Sequence, residues 1–105
     1  MLCGVIADPS AYVDQKITLT GIANMHQHGS NIGSKLCPER TLALYMEERP
    51  WKQGVLLSPA GEFFAQLATR PDSPVSVNGR IIVDPNRPSA YTFQVESGRF
   101  DGPGG

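Results

Sequence analysis

Two segments of the chain alternate apolar and polar residues with a period of two, the pattern of a strand that buries one face. They cover residues 16–25 and 76–84, and each contains an interior glycine, Gly21 or Gly79, after which aliphatic residues continue. Glycine inside a strand marks a sharp bend or the close approach of another backbone. In a small closed barrel, a strand must bend so that it can contribute to both halves of the barrel. The repeated pattern therefore predicts such a barrel.

Shorter segments predict the remaining strands and one helix. The other strands are expected at residues 41–46 and 91–95, and Leu36 begins or leads into a further strand before them. A helix is expected from Ser58, a favoured N-cap residue, and Pro71 ends it. Its apolar stripe, which we expect to close the bottom of the barrel, consists of Phe63, Phe64, Leu67 and Ala68.

The order of these elements predicts the fold class. Three strands, a helix and two further strands form the layout of a five-stranded OB-type Greek-key barrel with the helix between strands 3 and 4. A small β-sandwich is the alternative. Residues 1–100 are expected to form this single OB-like domain, with about one helical turn starting at Asp8 and Pro9. The glycine-rich residues 101–105 are expected to be a flexible tail.

The composition narrows the possible partners. The 105 residues are 40% hydrophobic and 18% charged, which is typical of one soluble globular domain. A net charge of −1 provides no general attraction to nucleic acid or to an anionic membrane. We expect no membrane insertion, because no apolar run is long enough to span a bilayer. We expect no signal peptide between Met1 and Asp8, although a mature form that begins with an added Met would give the same pattern.

The two cysteines, Cys3 and Cys37, leave two interpretations open. Neither lies in a C-x-x-C pair, so a redox motif or a zinc knuckle is unsupported. They form either a disulfide that depends on export or two free thiols. In the chain-entropy model, a disulfide that closes a loop of this length contributes roughly 3–4 kcal/mol.

The first half of the chain resembles a group of uncharacterised bacterial OB-like domains. The shared pattern is a cysteine, Pro-x-x-Tyr, a strand that ends in glycine, a His-Gly or Glu-Gly turn and a second cysteine. In this chain it consists of Cys3, Asp8-Pro9, Tyr12, Lys16-Ile17-Thr18-Leu19-Thr20-Gly21, His28-Gly29-Ser30 and Cys37-Pro38. Because members are usually exported, the resemblance implies an oxidised Cys3–Cys37 pair and a periplasmic or secreted, leaderless mature protein. A cytoplasmic location is the alternative, and the resemblance implies no activity.

OB barrels bind ligands across strands 2 and 3, beside the loops that join strands 1–2 and 4–5. Here those loops are expected at residues 26–34 and 84–90. The candidate ligand-binding residues are His26, His28, Tyr45, Arg80 and Arg87. A site for single-stranded nucleic acid needs stacking aromatic rings and cations along a groove. The aromatic and cationic residues here are few and scattered, so nucleic acid is a possible partner that we do not favour.

Two histidines are weak candidates for a metal site. His26 and His28 share one face if they lie on a strand, and Cys37 or Glu39 would supply a further ligand. A Cys37 thiol bound in a disulfide cannot serve as a thiolate ligand, so the two proposals exclude each other. The alternative is a polar hairpin end with solvent-exposed histidines, and we expect no cofactor.

The remaining candidates lead to a non-catalytic module. Trp51, in a charged loop, either packs over a barrel edge or anchors a protein partner. The chain has no nucleophile elbow, P-loop, dinucleotide fingerprint or zinc-protease motif, so we do not expect an enzyme. The sequence predicts a binding or accessory module of unknown ligand. The alternatives are an intracellular OB domain for single-stranded nucleic acid and a small metal-binding protein.

Overall fold

A single five-stranded sheet closes in a ring and carries short helices. The computed structural model describes residues 2–26, 29–46 and 59–102. The helices are α1 (Leu2–Ala7), a 3-10 helix (Pro9–Tyr12) and α2 (Pro59–Leu67). The strands are β1 (Lys16–His26), β2 (Gly29–Gly33), β3 (Thr41–Tyr45), β4 (Ser73–Asp84) and β5 (Arg87–Phe100). A mostly β chain with a helix between its third and fourth strands is therefore confirmed.

The order of the strands around the ring is β1-β2-β3-β5-β4, and β4 pairs with β1 to close it. Every seam is antiparallel except the one between β3 and β5, which is parallel. That seam joins two residue pairs, Leu44 with Phe93 and Tyr45 with Gln94. The β4–β5 seam, by contrast, extends from Val75 opposite Phe100 to the hairpin turn. The parallel seam is thus the shortest of the ring.

The interior glycines of β1 and β4 lie where two backbones come close together. A Cβ atom on Gly21 would lie 2.5 Å from the carbonyl oxygen of Gly33 and 2.7 Å from Leu2 Cδ2. A Cβ atom on Gly79 would overlap the carbonyl oxygen of Gln94, at a point where the β4–β5 register shifts. The predicted close approach at both glycines is confirmed, and it allows the strands to bend around the ring.

Helix α2 supplies part of the core. Phe63 and Leu67 are buried, and the Phe63 ring stacks on Phe100 with centroids 5.3 Å apart. Phe64 packs half-buried against the core and Ala68 is exposed, so the predicted stripe is confirmed except at Ala68. The helix ends before Ala68 because the chain turns towards β4, with Asp72 in the left-handed region at φ 59°. Ser58 lies outside the described residues.

The N-terminal helix α1 is an element that the sequence patterns did not predict. Leu2, Val5 and Ile6 are buried in the core, at the i, i+3, i+4 spacing of a helix face. Asp8 makes no side-chain cap, and the turn that begins at Pro9 is a 3-10 helix. Six residues are too few to establish helical periodicity, which is why the pattern gave no signal.

Two strand positions differ from the predictions. The second strand is Gly29–Gly33, whereas Leu36 lies in the following turn with 90% of its surface exposed. The β4–β5 connection is only Pro85–Asn86, because β5 already begins at Arg87. The predicted loops at residues 26–34 and 84–90 are therefore mostly strand. Glycine, serine and proline are typical of loops, but here they lie in the short strand β2 and in the exposed beginning of β5.

A disulfide joins α1 to the loop between β2 and β3. Cys3 and Cys37 are bonded, with their Cα atoms 5.9 Å apart. Cys37 also lies half-buried against the core, and its N–H donates to the carbonyl oxygen of Ser34. Of the two states that the sequence left open, the structure therefore contains the disulfide that the resemblance implies.

Gly79→Ala is expected to destabilise the protein by about 3 kcal/mol, because its methyl group would overlap the Gln94 carbonyl. Gly4→Ala is the matched control: its methyl group would find only Tyr12 Oη at 3.9 Å. On a helix, that change should be neutral or stabilise by up to about 1 kcal/mol. Urea unfolding measures both changes, and equal midpoints for the two variants would contradict the close-approach argument.

Removing the disulfide through Cys3→Ser and Cys37→Ser is expected to lower the free energy of unfolding by about 3–4 kcal/mol, because the unfolded chain regains the freedom of the closed loop. Urea unfolding of the double variant and of the wild-type protein under dithiothreitol should give the same midpoint. An unchanged midpoint in either sample would show that the disulfide contributes nothing to stability.

Candidate functional site

A cleft of about 420 Å³ opens beside the parallel seam between β3 and β5. Thr92 Oγ1 donates to the carbonyl oxygen of Ala43 at 2.9 Å, which ties the two strands together at the edge of this opening. The side chains that characterise the cleft, here called the polar cleft, belong to Asn31, Thr41, Tyr45, Asp84, Asn86 and Arg87. The short seam thus leaves a space bordered by three strands and the β4–β5 turn.

The β4–β5 turn places one negative and one positive side chain in the polar cleft. Asp84 Oδ1 accepts a hydrogen bond from the backbone N–H of Asn86 at 2.8 Å, which fixes the turn. Arg87 is exposed and begins β5 directly after it. Asp84 and Arg87 are the charged residues among the described residues lining the cleft, so their formal charges cancel.

A second cleft, of about 530 Å³, adjoins the polar cleft and is also lined by Tyr45. It shares Ser30, Leu44, Tyr45 and Asn86 with the polar cleft. The residues that line this second cleft alone are Met25, Met46, Phe64 and Pro85. The two clefts together form the Tyr45 groove. Phe63 fills the core, and the half-buried Phe64 packs against the core and also lines this groove.

The structure brings together two of the predicted ligand-binding residues and separates a third. Tyr45 and Arg87 line the same cleft. Arg80 lies on β4 between its partners on β1 and β5, and forms an ion pair with Glu96 at 3.2 Å. Arg80 is not one of the residues that line the groove. His26 is the last residue of β1, and its backbone pairs with Gly29.

Several predicted features lie outside the described residues. They are His28, Trp51 and the side chain of His26. In the part of the chain that the structure describes, no three His, Cys, Asp or Glu side chains form a metal-binding group. Cys37 cannot be a thiolate ligand because it is bonded to Cys3. A site at the two histidines stays a prediction.

The predicted loops at residues 26–34 and 84–90 contain Asn31, Asn86 and other groove residues, but the sequence analysis named only Tyr45 and Arg87 of the groove as candidates. Asn31, Thr41 and Asn86 are ordinary polar residues of short strands and a turn. Met25 and Met46 come from the ends of two strands, and local patterns predict only burial for such residues. The available signal was the Asp84-Pro85-Asn86 sequence, which is a turn pattern beside the expected ligand face.

A separate polar network lies on the outer face of β1, β4 and β5. Thr20 Oγ1 and Ser76 Oγ are 3.1 Å apart, and Ser76 donates to Asp101 Oδ2 at 2.6 Å. Arg99 Nε donates to the other oxygen of Asp101 at 2.9 Å, and the Asp101 N–H bonds to the Pro74 carbonyl. The Ser76 hydrogen bond, followed by that from Arg99, lowers the pKa of Asp101. This network ties the end of β5 to β4.

Asp101→Asn is expected to destabilise the protein at neutral pH and to have no such effect in strong acid. The folded-state pKa of Asp101 lies below its ordinary value of 3.8, so its contribution is present above that value. The contribution is lost as the pH falls through the folded-state pKa. Urea midpoints at pH 7 and at about pH 2 measure the difference between variant and wild type.

The control for this comparison is Glu39→Gln, which removes one exposed carboxylate from the β2–β3 loop. Its midpoint should follow the wild type at both pH values. A difference between Asp101→Asn and the wild type that persists unchanged at low pH would show that the carboxylate charge is not the cause.

Comparison with known proteins does not assign the groove. The chain matches no protein-family model, no curated protein and no solved structure. Within the described residues, no helix is long and apolar enough to cross a membrane. The groove is therefore interpreted from the chemistry of its own side chains.

Proposed function

We propose that this protein is a non-catalytic OB-type binding module that holds its ligand in the Tyr45 groove. The observation that carries the proposal is that the half-buried Tyr45 lines two adjoining clefts. The strand order β1-β2-β3-β5-β4, with α2 after β3, supports the OB-type assignment. OB-type barrels bind ligands across strands 2 and 3 and beside the strand 4–5 loop, which is where this groove lies.

The disulfide supports an exported protein. Disulfides persist in oxidising compartments such as the periplasm or the extracellular space, and are rare in the cytoplasm of mesophiles. The Cys3–Cys37 bond joins α1 to the β2–β3 loop, so it stabilises the wall that also carries part of the groove. We therefore propose that the protein functions in the periplasm or outside the cell.

The groove favours binding over catalysis. Nucleophilic catalysis pairs a nucleophile with a base within hydrogen-bond reach, and general acid–base catalysis most often uses a histidine or a carboxylate within reach of the substrate's proton. Among the described residues that line the groove, Asp84 is the one carboxylate, and Arg87 cannot act as a base. The aromatic ring and the surrounding amides suit recognition of a ligand instead.

Single-stranded nucleic acid is the second candidate ligand. Tyr45 and Arg87 line one cleft, which is the combination that stacks a base and neutralises a phosphate. Asp84 in the same cleft and the net charge of −1 weaken this interpretation, because a phosphate backbone requires an excess of cations.

The proposal is tested with a fragment screen by two-dimensional 15N NMR. The fragment set contains monosaccharides, nucleosides, aromatic acids and dipeptides. Shifts are expected at the backbone amides of Asn31, Thr41 and Asn86, and Tyr45→Ala should abolish them because it removes the ring shared by the two clefts. Leu36→Ala removes an exposed apolar side chain outside the groove and should leave the shifts unchanged. Fragments that shift only residues outside the groove, or none at all, would refute the proposal.

A further inference from the structure

The side chains of the polar cleft form a balanced set of hydrogen-bonding groups. The Asp84 carboxylate only accepts, the Arg87 guanidinium only donates, and the Asn86 amide and the Thr41 hydroxyl do both. Asp84 uses one oxygen for the N–H of Asn86, and among the described residues Arg87 has no ion-pair partner. The ligand must therefore offer donors and acceptors side by side.

Vicinal hydroxyl groups meet this requirement best. Each hydroxyl donates one hydrogen bond and accepts others, so neighbouring hydroxyls can satisfy a carboxylate and a guanidinium together. Tyr45 adds an aromatic face, half-buried between the two clefts, against which the C–H face of a sugar ring can pack. The cleft volume of about 420 Å³ lies in the range of small-molecule sites.

We propose that the polar cleft binds a neutral oligosaccharide. Asp84 accepts a hydrogen bond from one sugar hydroxyl, Arg87 donates to a neighbouring oxygen, and Tyr45 packs against a ring face. This inference rests on the proposed function, because it names the ligand class of the same groove.

The two other polymeric ligands fit the cleft less well. Phosphodiesters offer only acceptors and negative charge, which Asp84 opposes. An extended peptide would pair with the edge of β3, but the Ala43 carbonyl on that edge already accepts from Thr92 Oγ1 at 2.9 Å. The cancelled charge of Asp84 and Arg87 also gives no preference for a charged ligand.

The test is an NMR titration of the full chain with chitotetraose, cellotetraose and maltotetraose, each up to about 10 mM. At least one saccharide should shift the amides of Asn31, Thr41 and Asn86 saturably. Asp84→Asn keeps the oxygen that fixes the turn but removes the charge, and it should weaken binding about tenfold. Tyr45→Ala should have a similar effect, whereas Tyr45→Phe retains the ring and should bind like the wild type.

Arg40→Ala is the matched control for Arg87→Ala, because Arg40 is exposed in the β2–β3 loop and lies outside the groove. Only the change at Arg87 should weaken binding, with both variants unfolding at the wild-type temperature. An oligothymidylate and a proline-rich decapeptide are titrated in parallel. The inference is overturned if no saccharide saturates the cleft, or if either of these ligands does so instead.

These outcomes are distinguishable from failure of the proposed function. If small fragments still shift the groove amides while the saccharides do not, the groove is a binding site and only the ligand class is wrong. If neither fragments nor saccharides change the chemical shifts of these amides, both proposals are refuted.

Discussion

The close approach of backbones at Gly21 and Gly79 is the constraint on which the rest of the structure depends. Five strands can close in a ring only if the longer ones bend sharply enough to pair on both sides. β1 pairs with both β2 and β4, and β4 pairs with both β1 and β5. At Gly21 and Gly79 the neighbouring carbonyls of Gly33 and Gln94 occupy the space that a side chain would need. Glycine therefore permits the curvature that encloses the core.

The core inside this ring is small, so the stability of the fold also depends on the disulfide and on helix α1. A chain of about this size buries only some 60–70% of the surface that its unfolded form exposes. Helix α1 contributes Leu2, Val5 and Ile6 to the core, and the Cys3–Cys37 bond holds that helix to the β2–β3 loop. Without the bond, six helical residues would depend on packing alone, and helices this short are marginal in water.

The sequence predicted those parts of the fold whose signal is local and repeated. β1 and β4 show alternation and an interior glycine, and α2 shows an apolar stripe. β2 and α1 were missed because Gly29–Gly33 contains a single aliphatic residue, Ile32, and α1 is only six residues long. Contacts with distant parts of the chain define both elements: strand pairing defines β2, and packing in the core defines α1. Tyr45 could be placed at the candidate site because the predicted strand order puts it on the expected ligand face, whereas local patterns predict only burial for Phe64.

The geometry of closure also accounts for the position of the groove. A closed ring with an odd number of strands must contain at least one parallel seam, and here that seam joins the short strand β3 to the long strand β5. β3 is five residues long, so it pairs with β5 only at Leu44 and Tyr45. The first residues of β3 and the beginning of β5 are left to line a cleft, and the Pro85–Asn86 turn lies beside both clefts. The shortest seam of the sheet thus lies beside the clefts that polar side chains and the Tyr45 ring line.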